Sequence, residues 1–231
     1  MFQPIREWWQ FLLHPHLEKA PVSHPNQHFF TLLVFQCVLS VLSLLAVSFA
    51  IPNFEKLAND NNVQKMMQES GPIWILLGAA LVEELIFRLP LGMYRSRFLI
   101  PSGLLIIMLA WPNNTNLWMQ ISIAFGMGIM VLGILGLHYD YKDLLRNTWA
   151  RGFPGVFYLF AGVFALVHLS NYGSTLANIN LFQMLLLVVP QFLAGLTFGY
   201  ARMRMGFLNA VALHAAYNGV LLILGLLFNS Q

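Results

Sequence analysis

Glu83-Glu84-Leu85-Ile86-Phe87-Arg88 lies inside an apolar run, from Gly71 to about Tyr94, that is long enough to cross a bilayer. Two adjacent carboxylates and a guanidinium are costly there. Even on lenient insertion scales a charge near the bilayer centre costs about 2.5–3.5 kcal/mol. A membrane helix carries such groups only if they find one another or face a polar cavity. The rest of the chain is read as what makes them tolerable.

The composition agrees with a membrane setting. The 231 residues are 58% hydrophobic and 9% charged, with mean hydropathy +0.67. A soluble domain has about a quarter of its residues charged. The net charge of +3 is small and spread out, which argues against a nucleic-acid partner. Cys37 is the single cysteine, so an internal disulfide and CxxC metal or redox motifs are excluded. No stretch resembles a cleaved signal peptide, because the first long apolar run starts after residue 28.

Outward from the acidic stretch, the sequence predicts an all-α, polytopic transmembrane helical bundle of about seven spans plus an N-terminal interfacial helix. Residues 1–28 form the N-terminal segment. Its stretch 2–13, with Trp8, Trp9, Arg6 and Glu7, reads as an amphipathic helix in the interface or as a frayed tail with aromatic anchors. His14, His16, His24 and His28 fall in a proline-containing loop and read as solvated. Residues 29–231 form the bundle. The expected spans are Phe29–Ile51, Gly71–Tyr94, Phe98–Trp111, Leu117–His138, Phe153–Ser170, Leu181–Ala201 and Gly206–Phe228. The first reads as scaffold. Pro90 should kink or end the second, and the third is tilted or broken at Pro101. Asn53–Ser70 reads as a polar loop, and Gly126, Gly133 and Gly136 offer small faces for close packing.

Charge asymmetry sets the orientation. Arg6, Lys19, Arg95, Arg97, Lys142, Arg146, Arg151, Arg202 and Arg204 fall on one side, and Lys56 and Lys65 on the other. The positive-inside rule then places the N-terminus in the cytosol and the C-terminus outside, in a plasma (inner) membrane. The Asn113-Asn114-Thr115 sequon falls on the outer side, too near the membrane to carry weight.

Polar groups occur in four intramembrane clusters. Glu84 and Arg88 are four apart and share a helix face. Such a pair can simply tie helices together, but Glu83, rotated by about 100°, is left for another partner. His168 follows Phe164 by four and precedes Asn171 by three. A lone histidine here would usually be a packing residue. His214 and Asn218 lie one turn apart, a spacing equally suited to interhelical hydrogen bonding. Gly195 and Gly199 make a GxxxG step, and Arg202 and Arg204 read as an anchor for the cytosolic end. Counted from the span ends, Glu83 and His214 come level, Asn218 lies about one turn further out, and His168 about two turns deeper.

Together these are a carboxylate, two imidazoles and a carboxamide in a dry bundle. A glutamate and a histidine can deprotonate a water, while a histidine and an asparagine can hold an oxyanion. The same Glu83, His168 and His214 can instead hold a divalent metal such as zinc. No serine or cysteine is placed as a nucleophile, and HExxH is absent. A non-catalytic scaffold or immunity-type protein, and a proton-coupled transporter, also use such groups. No inverted repeat or broken-helix pair supports the transporter.

Glu83-Glu84-x-x-x-Arg88, Phe164-x-x-x-His168 and His214-x-x-x-Asn218, in this order on separate helices, resemble the CPBP family, the CAAX protease and bacteriocin-processing intramembrane proteases related to type II CAAX prenyl endopeptidases. The stretch from Gly195 to Arg202 also looks like that family, and the resemblance covers about residues 71–219. It implies an intramembrane (metallo)endopeptidase, a hydrolase acting on a membrane-associated or lipidated peptide or protein. Glu83 and His168 would activate water. His214 and Asn218 would form the oxyanion hole. Glu84 and Arg88 would support the site, with Glu84 assisting His168. The family is usually described as metal-dependent, although a metal-free glutamate mechanism is also argued for it.

Overall fold

The computed structural model describes residues 3–17, 22–52, 54, 71–110, 117–137 and 150–228. Most of the polar stretch 53–70, the sequon at 113–115 and the charges between 138 and 149 lie outside the described residues, as does Lys19.

The described residues are helical throughout. α1 is Gln3–Leu13 and α2 is Pro25–Ala50. A π-helical segment, Trp74–Ala79, runs directly into α3, Ala80–Phe87. After a 3-10 turn at Pro90–Gly92 come α4, Arg95–Ala110, and α5, Leu117–Gly136. A 3-10 turn at Ala150–Gly152 leads into α6, Phe153–Val167, which passes into a 3-10 segment, His168–Asn178. α7 is Leu181–Arg204 and α8 is Phe207–Phe228.

Five of these stretches are long and apolar enough to cross a membrane: Pro25–Ala50, Met119–Gly136, Ala150–Tyr172, Leu181–Arg204 and Phe207–Leu224. Large apolar side chains such as Phe49, Leu109, Leu181 and Leu208 point outward, as a bundle surrounded by lipid requires. The architecture fits an integral membrane protein. The two other stretches read as spans, 71–94 and 98–111, form shorter helices. The first ends at Phe87, where Arg88 caps it and Pro90 begins the next turn. The second passes through Pro101 as one helix of 16 residues.

α7 is the central element. It touches α1, α2, α6 and α8, and it is buried without a break from Ala194 to Met203. Its GxxxG step faces α6. A Cβ on Gly195 would stand 3.2 Å from the Ala161 carbonyl oxygen, and one on Gly199 2.7 Å from the Phe157 ring. Hydrogen at these positions is what lets the two backbones approach. Gly126, Gly133 and Gly136 of α5 do the same against α4. That hairpin joins the rest of the bundle through α4, which touches α3 and the Pro90–Gly92 turn.

α1 docks rather than frays. Its Pro4, Trp8, Phe11 and Leu12 are buried. Trp8 packs edge-on to Phe35 of α2, and Phe11 packs on Phe157 of α6 and Tyr200 of α7. The amphipathic face therefore rests on protein, while Arg6 and Trp9 face outward.

His28 departs from the solvated-loop reading. Pro25, whose fixed φ suits a first helical position, starts α2 earlier than expected. His28 thus sits in the first turn of α2, 2% exposed, with Nε2 3.0 Å from Glu7 Oε2.

Candidate functional site

α3, α6, α7 and α8 meet around the acidic stretch. Glu84 is fully buried. Its Oε1 lies 3.4 Å from Nε of Arg88, one turn on, and 3.0 Å from Nδ1 of His214 on α8. The i,i+4 pairing expected from spacing is present, but the carboxylate that the resemblance assigns to His168 meets His214 instead.

Arg88 is buried as well. Its guanidinium lies over the Phe164 ring, 4.0 Å from the centroid, and Nη2 donates to the Gly195 carbonyl at 3.4 Å. Arg202, read as an end anchor, is 3% exposed. Its Nε donates at 3.1 Å to the Arg88 carbonyl, which also accepts from the Leu91 N–H at 3.2 Å in the turn that follows α3. Glu84, Arg88 and Arg202 thus share a buried region with the partly accessible Glu83 beside it, which limits the uncompensated charge.

Glu83 projects from the next position and keeps 28% of its side chain accessible. Its Oε2 stands 3.7 Å from Nε2 of His168 and 3.7 Å from Nε2 of His214. This oxygen is buried and makes no direct hydrogen bond. His168 stands where α6 turns into the 3-10 segment. Its Nδ1 lies 2.7 Å from the Phe164 carbonyl. A carbonyl only accepts, so Nδ1 carries the proton and neutral His168 offers a lone pair at Nε2. Whatever their backbone depths, the side chains of Glu83 and His168 meet.

His214 is 3% exposed and stacks on Phe198 of α7, centroids 4.4 Å apart and planes 20° apart. Phe164 meets its ring edge-on. Asn218 is half-buried one turn further along α8, and Asn171 is half-buried in the 3-10 segment. Glu83, Glu84, Arg88, His168 and His214 therefore form one contact network.

Sequence reasoning missed Arg202 and Phe198. Phe198 is one of 19 phenylalanines, and nothing in its neighbours marks it as the platform for an imidazole. For Arg202 the available signal was its position inside a window that otherwise reads as membrane-buried.

Glu83 reaches both imidazoles, yet among the described residues no group of three His, Cys, Asp or Glu side chains has an arrangement that could hold a metal ion.

No protein-family model, curated protein or solved structure matches this chain. What fold and site define is a class: an all-α membrane protein with a carboxylate–imidazole–guanidinium cluster inside its bundle.

Proposed function

We propose that the chain is an intramembrane endopeptidase, which hydrolyses a peptide bond of a membrane-associated or lipidated peptide or protein. The observation that carries this reading is the position of Glu83 Oε2, 3.7 Å from both imidazole Nε2 atoms. The gap is too long for a direct hydrogen bond, and it leaves a buried carboxylate oxygen unpartnered beside two imidazoles, where a water can dock. The order of the three motifs, which resembles the CPBP pattern, supports the same reading. In the finer form of the proposal the chain has seven spans in a plasma (inner) membrane, with the N-terminus cytosolic.

Water docked beside Glu83 Oε2 and His168 Nε2 loses a proton to Glu83 as its oxygen attacks the scissile carbonyl carbon. The oxyanion is held by His214 Nε2–H and the Asn218 carboxamide. The proton passes to the leaving amine as the C–N bond breaks, giving a carboxylic acid and an amine. One requirement follows from the hydrogen bonds. As a carboxylate Glu84 only accepts, so His214 donates to it from Nδ1. Donation from Nε2 as well requires the imidazolium.

A second reading, a non-catalytic scaffold, draws on the burial of Glu84 and Arg88, which fits helix cross-linking. Purified protein incubated with a panel of lipidated and plain peptides, with and without Glu83→Gln and a chelator, separates the two. Cleavage lost in Glu83→Gln is expected. Chelator sensitivity would bring a metal into the site, and wild-type-like cleavage by Glu83→Gln would sink the endopeptidase reading.

A further inference from the structure

We infer that a buried hydrogen-bonded bridge of Gln36, Ser40, Thr197 and Tyr217 positions His214, so that α2, read as scaffold from its sequence, sets the geometry of the site. The inference rests on the endopeptidase reading for its kinetic test only.

The bridge crosses three helices. The Thr197 hydroxyl of α7 donates to Gln36 Oε1 of α2 at 2.7 Å. Gln36 Nε2 donates to Ser40 Oγ at 3.1 Å, and Ser40 Oγ lies 2.8 Å from the Tyr217 hydroxyl of α8. Gln36, Ser40 and Thr197 are fully buried and Tyr217 is 3% exposed. Thr197 Oγ1 also lies 3.0 Å from the Leu193 carbonyl of its own helix, but the Gln36 amide, Ser40 and Tyr217 are buried groups that pair with one another, and a buried polar atom left unpaired loses its solvation without replacement. The bridge therefore has one register. Sliding α8 by one residue moves Tyr217 about 1.5 Å along the axis and turns it by about 100°, which breaks the contact with Ser40.

Tyr217 lies between His214 and Asn218 in sequence. It also shares a neighbour with His214. Phe198 stacks on the imidazole at 4.4 Å and meets the Tyr217 ring edge-on at 5.7 Å. Phe198 follows Thr197 directly, so adjacent residues of α7 hold α2 through one side chain and α8 through the other. The contacts that orient His214, Glu84 at Nδ1 and the Phe198 ring on its face, both depend on the height and rotation of α8. The four bridge residues touch no reacting atom and are positioning residues.

The test uses full-length protein in detergent with isotope-labelled histidine, the His214 resonance being assigned by its loss in His214→Gln. Tyr217→Phe keeps the ring and removes the hydroxyl. Expected are a shifted His214 resonance, an unmoved His168 resonance, and kcat on a cleaved panel peptide down about ten- to a hundredfold with KM little changed. Gln36→Leu should do the same, and Thr197→Ser, which keeps the donor, should match wild type. Folded Tyr217→Phe with a wild-type His214 resonance and wild-type kcat overturns the inference. If Gln36→Leu does not fold, Ser40→Ala replaces it. A wild type that cleaves no peptide overturns the endopeptidase reading instead, and the resonance alone then decides the positioning role.

Discussion

Glu84 Oε1 sits 3.0 Å from His214 Nδ1, a contact between residues 130 positions apart and shielded from solvent at both ends. Replacing Glu84 with Gln keeps an acceptor there, but the carboxamide can also turn its NH2 toward Nδ1, so the proton at Nε2 is no longer fixed. Cleavage should fall about 10²–10³-fold, the usual effect of losing an oxyanion donor. Glu84→Ala additionally strands Arg88 as a buried, unpaired cation, and should destabilise by about 3–5 kcal/mol. Thermal unfolding in detergent beside cleavage rates separates the effects.

Glu83 predicts the opposite balance. Its Oε2 makes no direct hydrogen bond and part of the side chain is accessible. Glu83→Gln should leave the melting temperature close to wild type. Cleavage should drop by about 10²–10⁴-fold, the range for a lost general base. A large loss of stability in this variant would place Glu83 in the packing rather than in the chemistry.

The close passage of α7 and α6 is testable at Gly199. A valine there drives its Cβ into the Phe157 ring, 2.7 Å away in the present packing. Overpacking of this kind costs about 1–3 kcal/mol. The melting temperature should fall. Because α6 ends at His168, cleavage should fall further than stability alone accounts for.

The docking of α1 carries a pH dependence. Burial raises the Glu7 carboxyl. Hydrogen bonds from Gln3 and His28, with the charges of His28 and Arg204, outweigh it and hold the group below the usual carboxylate range. A depressed carboxylate contributes stability above its unfolded pKa, about 4.3, and that contribution is lost as pH falls through the lower folded value. Hydrogen exchange of α1 should therefore quicken on acidification below about pH 4 in wild type. In Glu7→Gln it should be faster already at neutral pH and respond less to acid. Equal acid responses in the two proteins would remove Glu7 from the docking.

Much of this arrangement was legible because charge is so scarce in the chain. Glu83, Glu84 and Arg88 stood out against apolar neighbours, and their spacing fixed the Glu84–Arg88 pairing before any contact was known. Pro90 marked the end of the helix. Long-range partners were not legible. Spacing does not say that Glu84 turns to His214, since that depends on how α3 and α8 are levelled against each other. Gln36 is a single amide in an otherwise apolar span, and only tertiary packing shows that it links Thr197 of α7 to Ser40 of α2. His28 was misplaced by a few residues of boundary error, enough to move it from solvent into the bundle.

The buried run of α7 has a consequence for synthesis. The helix that packs against α1, α2 and α6 is made after all of them, and His214 follows it still later. Until the ribosome has delivered α7, Phe11, Gln36 and Phe157 lack the surface they close on. During that interval Glu84 cannot reach its imidazole. Arg88, one turn away on the same helix, is the partner it brings with it into the bilayer. The pair works first as a travelling companion for a nascent segment, and only afterwards as part of a finished site.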